Sequence, residues 1–287
     1  MKGPGYVSRI WYASFKAKRW LFFFDGESAP RLDLTPDELF GKADHFPFVP
    51  PLAGRSSGGK YCLVPMPFKE SLRVEVEPEA VNPSDRNYFH INYTLLDGER
   101  VTVSESWPSE LTPDMSNAVV RANQAFENTD RQLSDARDAC LASAATATVA
   151  PGEEIDIVVA HGVGCIDAFA VRVESPIGGE LVGQEVLRKL RLLGHWDGAK
   201  RPSIDVPFGD FFCNPFYPRW FSSYWLGNMD GCYVSRMPMP FRKGGTLRVR
   251  NTGRQAVTLR FGAKVSSDTS PGEPRRLFHG KWAASST

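Results

Sequence analysis

Trp196 to Phe212 reads WDGAKRPSIDVPFGDFF, and this stretch decides the fold because it occurs twice. Asp197-Gly198 is a tight-turn dipeptide, since Gly takes positive φ without steric penalty. Ser203 to Phe208 alternates, which predicts a strand with Ile204, Val206 and Phe208 on one face. The earlier copy begins at Phe24-Asp25-Gly26-Glu27, runs through Pro30-Arg31-Leu32-Asp33-Leu34 and ends at Asp37-Glu38-Leu39-Phe40. Asp25, Gly26, Pro30, Asp33 and Phe40 map without a gap onto Asp197, Gly198, Pro202, Asp205 and Phe212. Downstream, Pro65-Met66-Pro67-Phe68 recurs as Pro238-Met239-Pro240-Phe241, and Leu72-Arg73-Val74 as Leu247-Arg248-Val249. Upstream, Gly3-Pro4-Gly5-Tyr6-Val7 pairs with Gly162-Val163-Gly164-Cys165-Ile166. These ordered matches define an internal duplication.

A chain of 287 residues accommodates two ordinary domains, as the repeat requires. With 42 % hydrophobic and 23 % charged residues it has the composition of a globular protein. A net charge of +1 gives no field to attract nucleic acid or an anionic membrane, so neither is expected as a partner. Five scattered cysteines without a C-x-x-C argue against a disulfide framework or zinc knuckle. The early apolar run from Trp20 to Phe24 is too short for a signal core or membrane span. As it stands the chain reads as cytoplasmic. A secreted or periplasmic protein is the alternative if an export signal has been lost ahead of the abrupt start at Met1-Lys2-Gly3.

From Tyr6 to Ser106 the apolar period is two, with Val74 and Val76 on one face and Ile91, Tyr93 and Leu95 on another. Asp97-Gly98 reads as a hairpin turn leading to a strand at Val101 and Val103. From Pro113 to Ala145 the grammar changes. Ala118, Val119, Ala122, Phe126 and Leu133 recur at helical spacing, with Asp114 or Ser116 as the start cap and Ala142 to Thr148 as a flexible exit. Period two returns at Glu154 to Val159, Phe169 to Glu174, Leu187 to Leu193, Leu247 to Val249 and Val257 to Phe261. The expected fold is all-β: tandem jelly-roll β-sandwiches of viral-capsid type, joined by a helical linker. The first jelly roll spans 1–106, the linker 107–148, the second jelly roll 149–265 and a tail 266–287.

Little of the chemistry-bearing sequence has a strong signature. The Gly3-x-Gly5 and Gly162-x-Gly164 pairs lead into strands, so they are bends and not dinucleotide fingerprints. Five histidines lack ligand spacing, so no metal is expected, and no G-x-S-x-G elbow marks a serine hydrolase. Carboxylates do gather at the repeated motif: Asp25, Glu27, Asp197, Asp205 and Asp210. Paired carboxylates are what glycoside hydrolysis requires, although Asp25 and Asp197 also read simply as turn-formers. Between Phe211 and Trp225 stand eight aromatics in fifteen residues. Such rings stack on sugar faces and also line protein interfaces. The expected substrate-binding set is therefore Asp25, Glu27, His195, Trp196, Asp197, Asp210 and Trp220, with the aromatic loop doubling as an oligomer contact.

Gly-Pro-Gly-Tyr-Val-Ser-Arg-Ile-Trp at residues 3–11, Phe-Asp-Gly-Glu at 24–27, Pro-Met-Pro-Phe at 65–68 and the opening stretch together resemble glycoside hydrolase family 172. The resemblance spans nearly the whole chain outside the helical region. It implies a double jelly roll, homotrimers or hexamers, no cofactor, and retaining chemistry on fructo- or arabinofuranosides through two glutamates. Neither glutamate transfers to a residue here. The family's Gly-Thr-Gly-x-Glu-Asp-Tyr-Phe-like motif has its closest echo at Pro207 to Phe212, where Gly209 stands in place of the glutamate. The expectation is a truncated relative that keeps the scaffold and binds carbohydrate with little or no turnover. A competent furanosidase or transglycosylase is the competing reading.

Overall fold

The computed structural model describes residues 1–13, 16–56, 58–79, 88–98, 102–174, 183–267 and 276–283. It divides into two units, Met1–Glu127 and Asn128–Thr287. In the first, strands β1 (Gly5–Ala13), β2 (Ala17–Phe24) and β3 (Leu32–Leu34) precede the short helix α1 (Pro36–Leu39). Then come β4 (Ala53–Ser56), β5 (Gly59–Cys62), β6 (Met66–Phe68), β7 (Leu72–Pro78), β8 (Tyr88–Leu95) and helix α2 (Pro113–Glu127). One sheet is ordered β4-β5-β1, with β6 continuing along the β5 edge of β1 and β8 along its other edge. The second sheet is β3-β2-β7. Alternation puts Val7, Ile10 and Tyr12 of the first sheet and Trp20, Phe22 and Phe24 of the second in one core, all 2 % exposed or less.

The second unit begins with helix α3 (Thr129–Leu141) and strands β9 (Ala145–Val149), β10 (Glu154–His161) and β11 (Gly164–Glu174). Helix α4 (Gln184–Lys189) leads into β12 (Leu190–Trp196), β13 (Ile204–Pro207) and helix α5 (Phe208–Phe211). The remaining strands are β14 (Phe221–Ser222), β15 (Leu226–Met229), β16 (Cys232–Ser235), β17 (Met239–Phe241), β18 (Gly244–Asn251), β19 (Val257–Ser267) and β20 (Gly280–Lys281). One sheet is ordered β14-β15-β16-β11-β19-β9 with β17 also on β11, and the other β10-β18-β12-β13-β20.

Pairing registers show the same sandwich built twice. Ile10 faces Cys62 as Phe169 faces Ser235, and Gly5 faces Phe68 and Leu95 as Gly164 faces Phe241 and Ser267. Even the irregularity repeats. The β1–β8 ladder breaks between Val7 and Arg9, and the β11–β19 ladder between the corresponding Ile166 and Ala168. The two leading glycines have a steric reason. A Cβ on Gly5 would stand 2.5 Å from Thr94 O, and one on Gly164 2.4 Å from Ser266 O, with a phenylalanine ring close by in each case. The second copy adds β9 along β19 and β10 along β18.

Several local expectations change. Ala145–Val149 is a strand and not a flexible exit, because alternating Ala and Thr fit the edge of β19, with Val149 fully buried. Leu187 is helical, so the strand read from there starts at Leu190. The cap of α2 is Thr112, whose Oγ1 accepts from Met115 N at 3.3 Å; Asp114 and Ser116 lie inside the helix. Val103 lies outside any strand, and Val101 falls outside the described residues. Helix α2 lays Val119 and Ala122 on the first core, whereas α3 buries Leu133 and Cys140 against Ala168, Ala170 and Val234, a separate cluster on the face of the β11–β16 sheet turned away from the second core.

Candidate functional site

Both copies of the Asp-Gly motif form a two-residue turn with positive φ at each position: 48° and 80° at Asp25-Gly26, 56° and 78° at Asp197-Gly198. Each is closed by an i+3 hydrogen bond, from Glu27 N to Phe24 O and from Ala199 N to Trp196 O, both 2.9 Å. This is the I′ geometry that Asp-Gly favours. The aspartates then reach into a neighbouring loop. Asp25 Oδ1 accepts from Glu70 N (2.8 Å) and Ser71 N (3.2 Å), and its Oδ2 from Ser106 Oγ. Asp197 Oδ1 accepts from Arg242 N and Lys243 N, both 2.7 Å, and from Gly244 N at 3.4 Å.

Partial burial works to raise the Asp25 carboxyl. The bonds from Ser106, Glu70 and Ser71, with Arg31 nearby, outweigh it and hold the group below the usual carboxylate range. Asp197 follows the same pattern, with the Lys243, Arg242 and Gly244 amides overcoming desolvation. Such carboxylates stay ionised as structural acceptors.

Glu27, Asp33 and Asp205 are also engaged. Glu27 Oε1 accepts from Arg31 Nε at 2.9 Å, and the same guanidinium donates to Trp107 O at 2.6 Å. Asp33 accepts from Arg19 Nε at 2.5 Å, and Asp205 from the corresponding Arg191 Nε at 2.8 Å, so the ion pair is duplicated as well. Asp210 lies on α5, and its Oδ2 is buried without a hydrogen-bond partner among the described residues. Asp197 follows β12, and Asp210 lies beyond the far end of β13, where Pro207 pairs with Arg191. The two therefore stand at opposite ends of one antiparallel hairpin, several residues apart at about 3.3 Å each. The structure does not bring them together.

His195 is partly exposed, with Nδ1 3.1 Å from Ala199 O. Trp196, expected on a sugar pocket, is a core residue. It is 1 % exposed, and its Nε1 donates to Phe278 O at 2.7 Å, tying the final strand to the sheet. The aromatic loop divides by burial. Phe212 packs inside against Phe208 and Tyr233, whereas Phe216, Tyr217, Trp220 and Trp225 are 45–67 % exposed. A buried amide pair holds the loop: Asn214 Oδ1 accepts from Arg219 N (2.8 Å) and Asn228 Nδ2 (3.0 Å).

A cavity of about 820 Å³ opens on the second sandwich, lined by Gln184, Arg188, Arg191, Asn251, Arg254 and Trp282 among others. The Arg191 guanidinium lies 5.6 Å from the centre of the Trp282 ring and is fixed by Asp205. Gln184 Oε1 is buried there without a hydrogen-bond donor among the described residues. An aromatic face beside amides and guanidinium groups suits a polyhydroxylated ligand. None of the expected site residues lines this cavity. Its one legible signal is the Phe278-His279-Gly280-Lys281-Trp282 segment.

Two tandem β-sandwiches, each with a short helix after its β2–β3 or β12–β13 hairpin, define an all-β class of scaffold. Comparison with family models is specific: GH172 first beta-sandwich domain matches residues 1–110, and GH172 domain-like matches residues 140–263. The chain belongs to glycoside hydrolase family 172. No curated protein matches it.

Proposed function

We propose that the chain recognises furanosides, arabino- or fructofuranosyl units, in the Trp282 cavity of the second sandwich, and that the duplicated turn carboxylates hold the fold without cleaving the glycoside. The observation that carries this reading is the juxtaposition of Trp282, Arg191 and the unpartnered Gln184 oxygen in one cavity of a glycoside hydrolase family member. A furanose ring stacks one apolar face on the indole and offers hydroxyls to the amide and guanidinium groups. Retaining hydrolysis needs two carboxyl groups about 5 Å apart, and Asp197 and Asp210 lie at opposite ends of a hairpin. The exposed rings at Phe216, Tyr217, Trp220 and Trp225 are the proposed self-association surface, suited to a trimer.

Calorimetric titration with an α-1,5-arabino-oligosaccharide and with a fructo-oligosaccharide tests this. We expect Trp282→Ala to weaken binding about tenfold, a loss of about 1.4 kcal/mol. Trp220→Ala should leave sugar affinity unchanged and shift the oligomeric state measured by light scattering. Turnover of an aryl α-arabinofuranoside or α-fructofuranoside that disappears in Asp197→Asn or Asp210→Asn would overturn the reading.

A further inference from the structure

The wall of the Trp282 cavity concentrates positive charge, in a chain whose net charge is only +1. Arg188, Lys189, Arg191 and Arg254 line it, against one carboxylate, Glu185. Arg191 is neutralised by Asp205. Among the described residues the other three cations form no ion pair, and Glu185, four residues before Lys189, engages none of them. Arginines on the neighbouring strand β18 are matched: Arg248 pairs with Asp156 and Glu154, and Arg250 with Glu154.

Two segments far apart in the chain supply these charges. Arg188 and Lys189 occupy the last turn of α4, where cations complement the helix dipole. That accounts for those two and not for Arg254, which stands in the loop after β18. The loop is pinned to the helix end. Thr252 N and Oγ1 donate to Lys189 O at 2.8 and 2.7 Å. The buried Asn251 fixes the rest, its Oδ1 accepting from Gly253 N (2.8 Å) and its Nδ2 donating to Gln255 O (2.7 Å). The backbone thus holds three exposed cations around one cavity, an arrangement that repels itself until an anion enters.

Resting on the reading of this cavity as a furanoside site, we propose that its ligand carries a phosphomonoester: a furanose phosphorylated on its terminal hydroxyl, with the phosphate among Arg188, Lys189 and Arg254 and the ring on Trp282. Three cations against Glu185 leave a surplus of two, which matches the charge of about −1.5 to −2 on a phosphomonoester near neutral pH. Guanidinium groups also suit phosphate oxygens geometrically. The unpartnered Gln184 Oε1 is an acceptor and takes a sugar hydroxyl. Inorganic phosphate would leave the Trp282 face bare, and a neutral sugar would leave the cations unmatched. A terminal phosphate also keeps the ring five-membered: in fructose 6-phosphate and arabinose 5-phosphate the oxygen that would close a pyranose is esterified.

The full chain is titrated calorimetrically with fructose 6-phosphate, arabinose 5-phosphate, a neutral fructo-oligosaccharide, an oligogalacturonide and inorganic phosphate, at low and at physiological ionic strength. The two sugar phosphates should bind about tenfold or more tightly than the neutral sugar at low salt, with the gap narrowing as salt rises. Arg254→Gln and Lys189→Gln, at exposed positions, should each remove most of that gap and leave the neutral sugar's affinity unchanged. Trp282→Ala should weaken the phosphorylated and the neutral sugars alike. Equal affinity for phosphorylated and neutral sugars would overturn the phosphate assignment and leave the furanoside reading standing, whereas binding of neither removes both. Inorganic phosphate that binds as tightly as fructose 6-phosphate, regardless of Trp282→Ala, would reduce the cavity to an anion site and overturn the proposal. An oligogalacturonide that matches the sugar phosphates would overturn it too, by showing a preference for any acidic sugar.

Discussion

Asp25 and Asp197 show how one residue type answers two demands. Each tolerates the left-handed backbone of the turn, and each carboxylate gathers amide donors from the loop before β7 or β18. Removing the acceptor strands those amides, so Asp197→Ala should cost about 1–3 kcal/mol in urea unfolding. The pH dependence has a definite sign. Both carboxyls are held below the usual range, so their contribution is present above the unfolded value of about 3.9 and is lost as pH falls through the folded value. A double Asp25→Asn, Asp197→Asn variant should therefore be less stable than the parent at neutral pH and converge with it in strong acid. A stability gap that stayed constant from neutral pH to strong acid would remove the ionic role.

At the level of elements, glycine marks two different constraints. A Cβ on Gly26 or Gly198 meets nothing within 4 Å, so an alanine there suffers only from φ near +80° and should cost about 1 kcal/mol. Gly262 is a packing glycine. A Cβ would stand 1.9 Å from Cys140 O, where α3 crosses β19, and Gly262→Ala should cost about 3 kcal/mol by prising the helix from the sheet. Equilibrium unfolding of the three variants ranks them, and equal losses would contradict this division. The turns were legible because Asp-Gly encodes its own backbone geometry. The strand at Ala145–Val149 was not, because Ala and Thr carry little hydrophobic period and only the edge of β19 makes them a strand. Leu187 misled for a related reason: a continuous apolar run from Leu187 to Leu193 does not distinguish a helix end from a buried strand.

For the whole molecule, the duplication predicts autonomy. The second unit has its own core, in which Phe169, Trp196, Phe208, Phe241 and Leu247 are all 1 % exposed or less, and α3 packs on the other face of one of its sheets. A fragment of residues 128–287 should keep β-type circular dichroism and a single cooperative thermal transition. Non-cooperative melting of that fragment would show that its core depends on the first unit.

The all-β tandem sandwich, the Asp-Gly turns and the family were fixed by local pattern, because alternation and turn chemistry act within a few residues and the repeat displays them twice. Which side chains meet was decided only by tertiary structure. Asp197 and Asp210, which look like part of a catalytic cluster along the chain, lie at the two ends of a hairpin, since antiparallel strands carry sequence neighbours apart. Trp196 went to the core, and Trp282 joined Arg191 and Gln184, some ninety residues earlier in the chain, at a cavity wall. The two cavities between β7 and β8, of about 300 and 490 Å³, were likewise invisible in the alternation of either strand. A strand encodes which face is apolar, whereas what covers that face is a property of the assembled sheets.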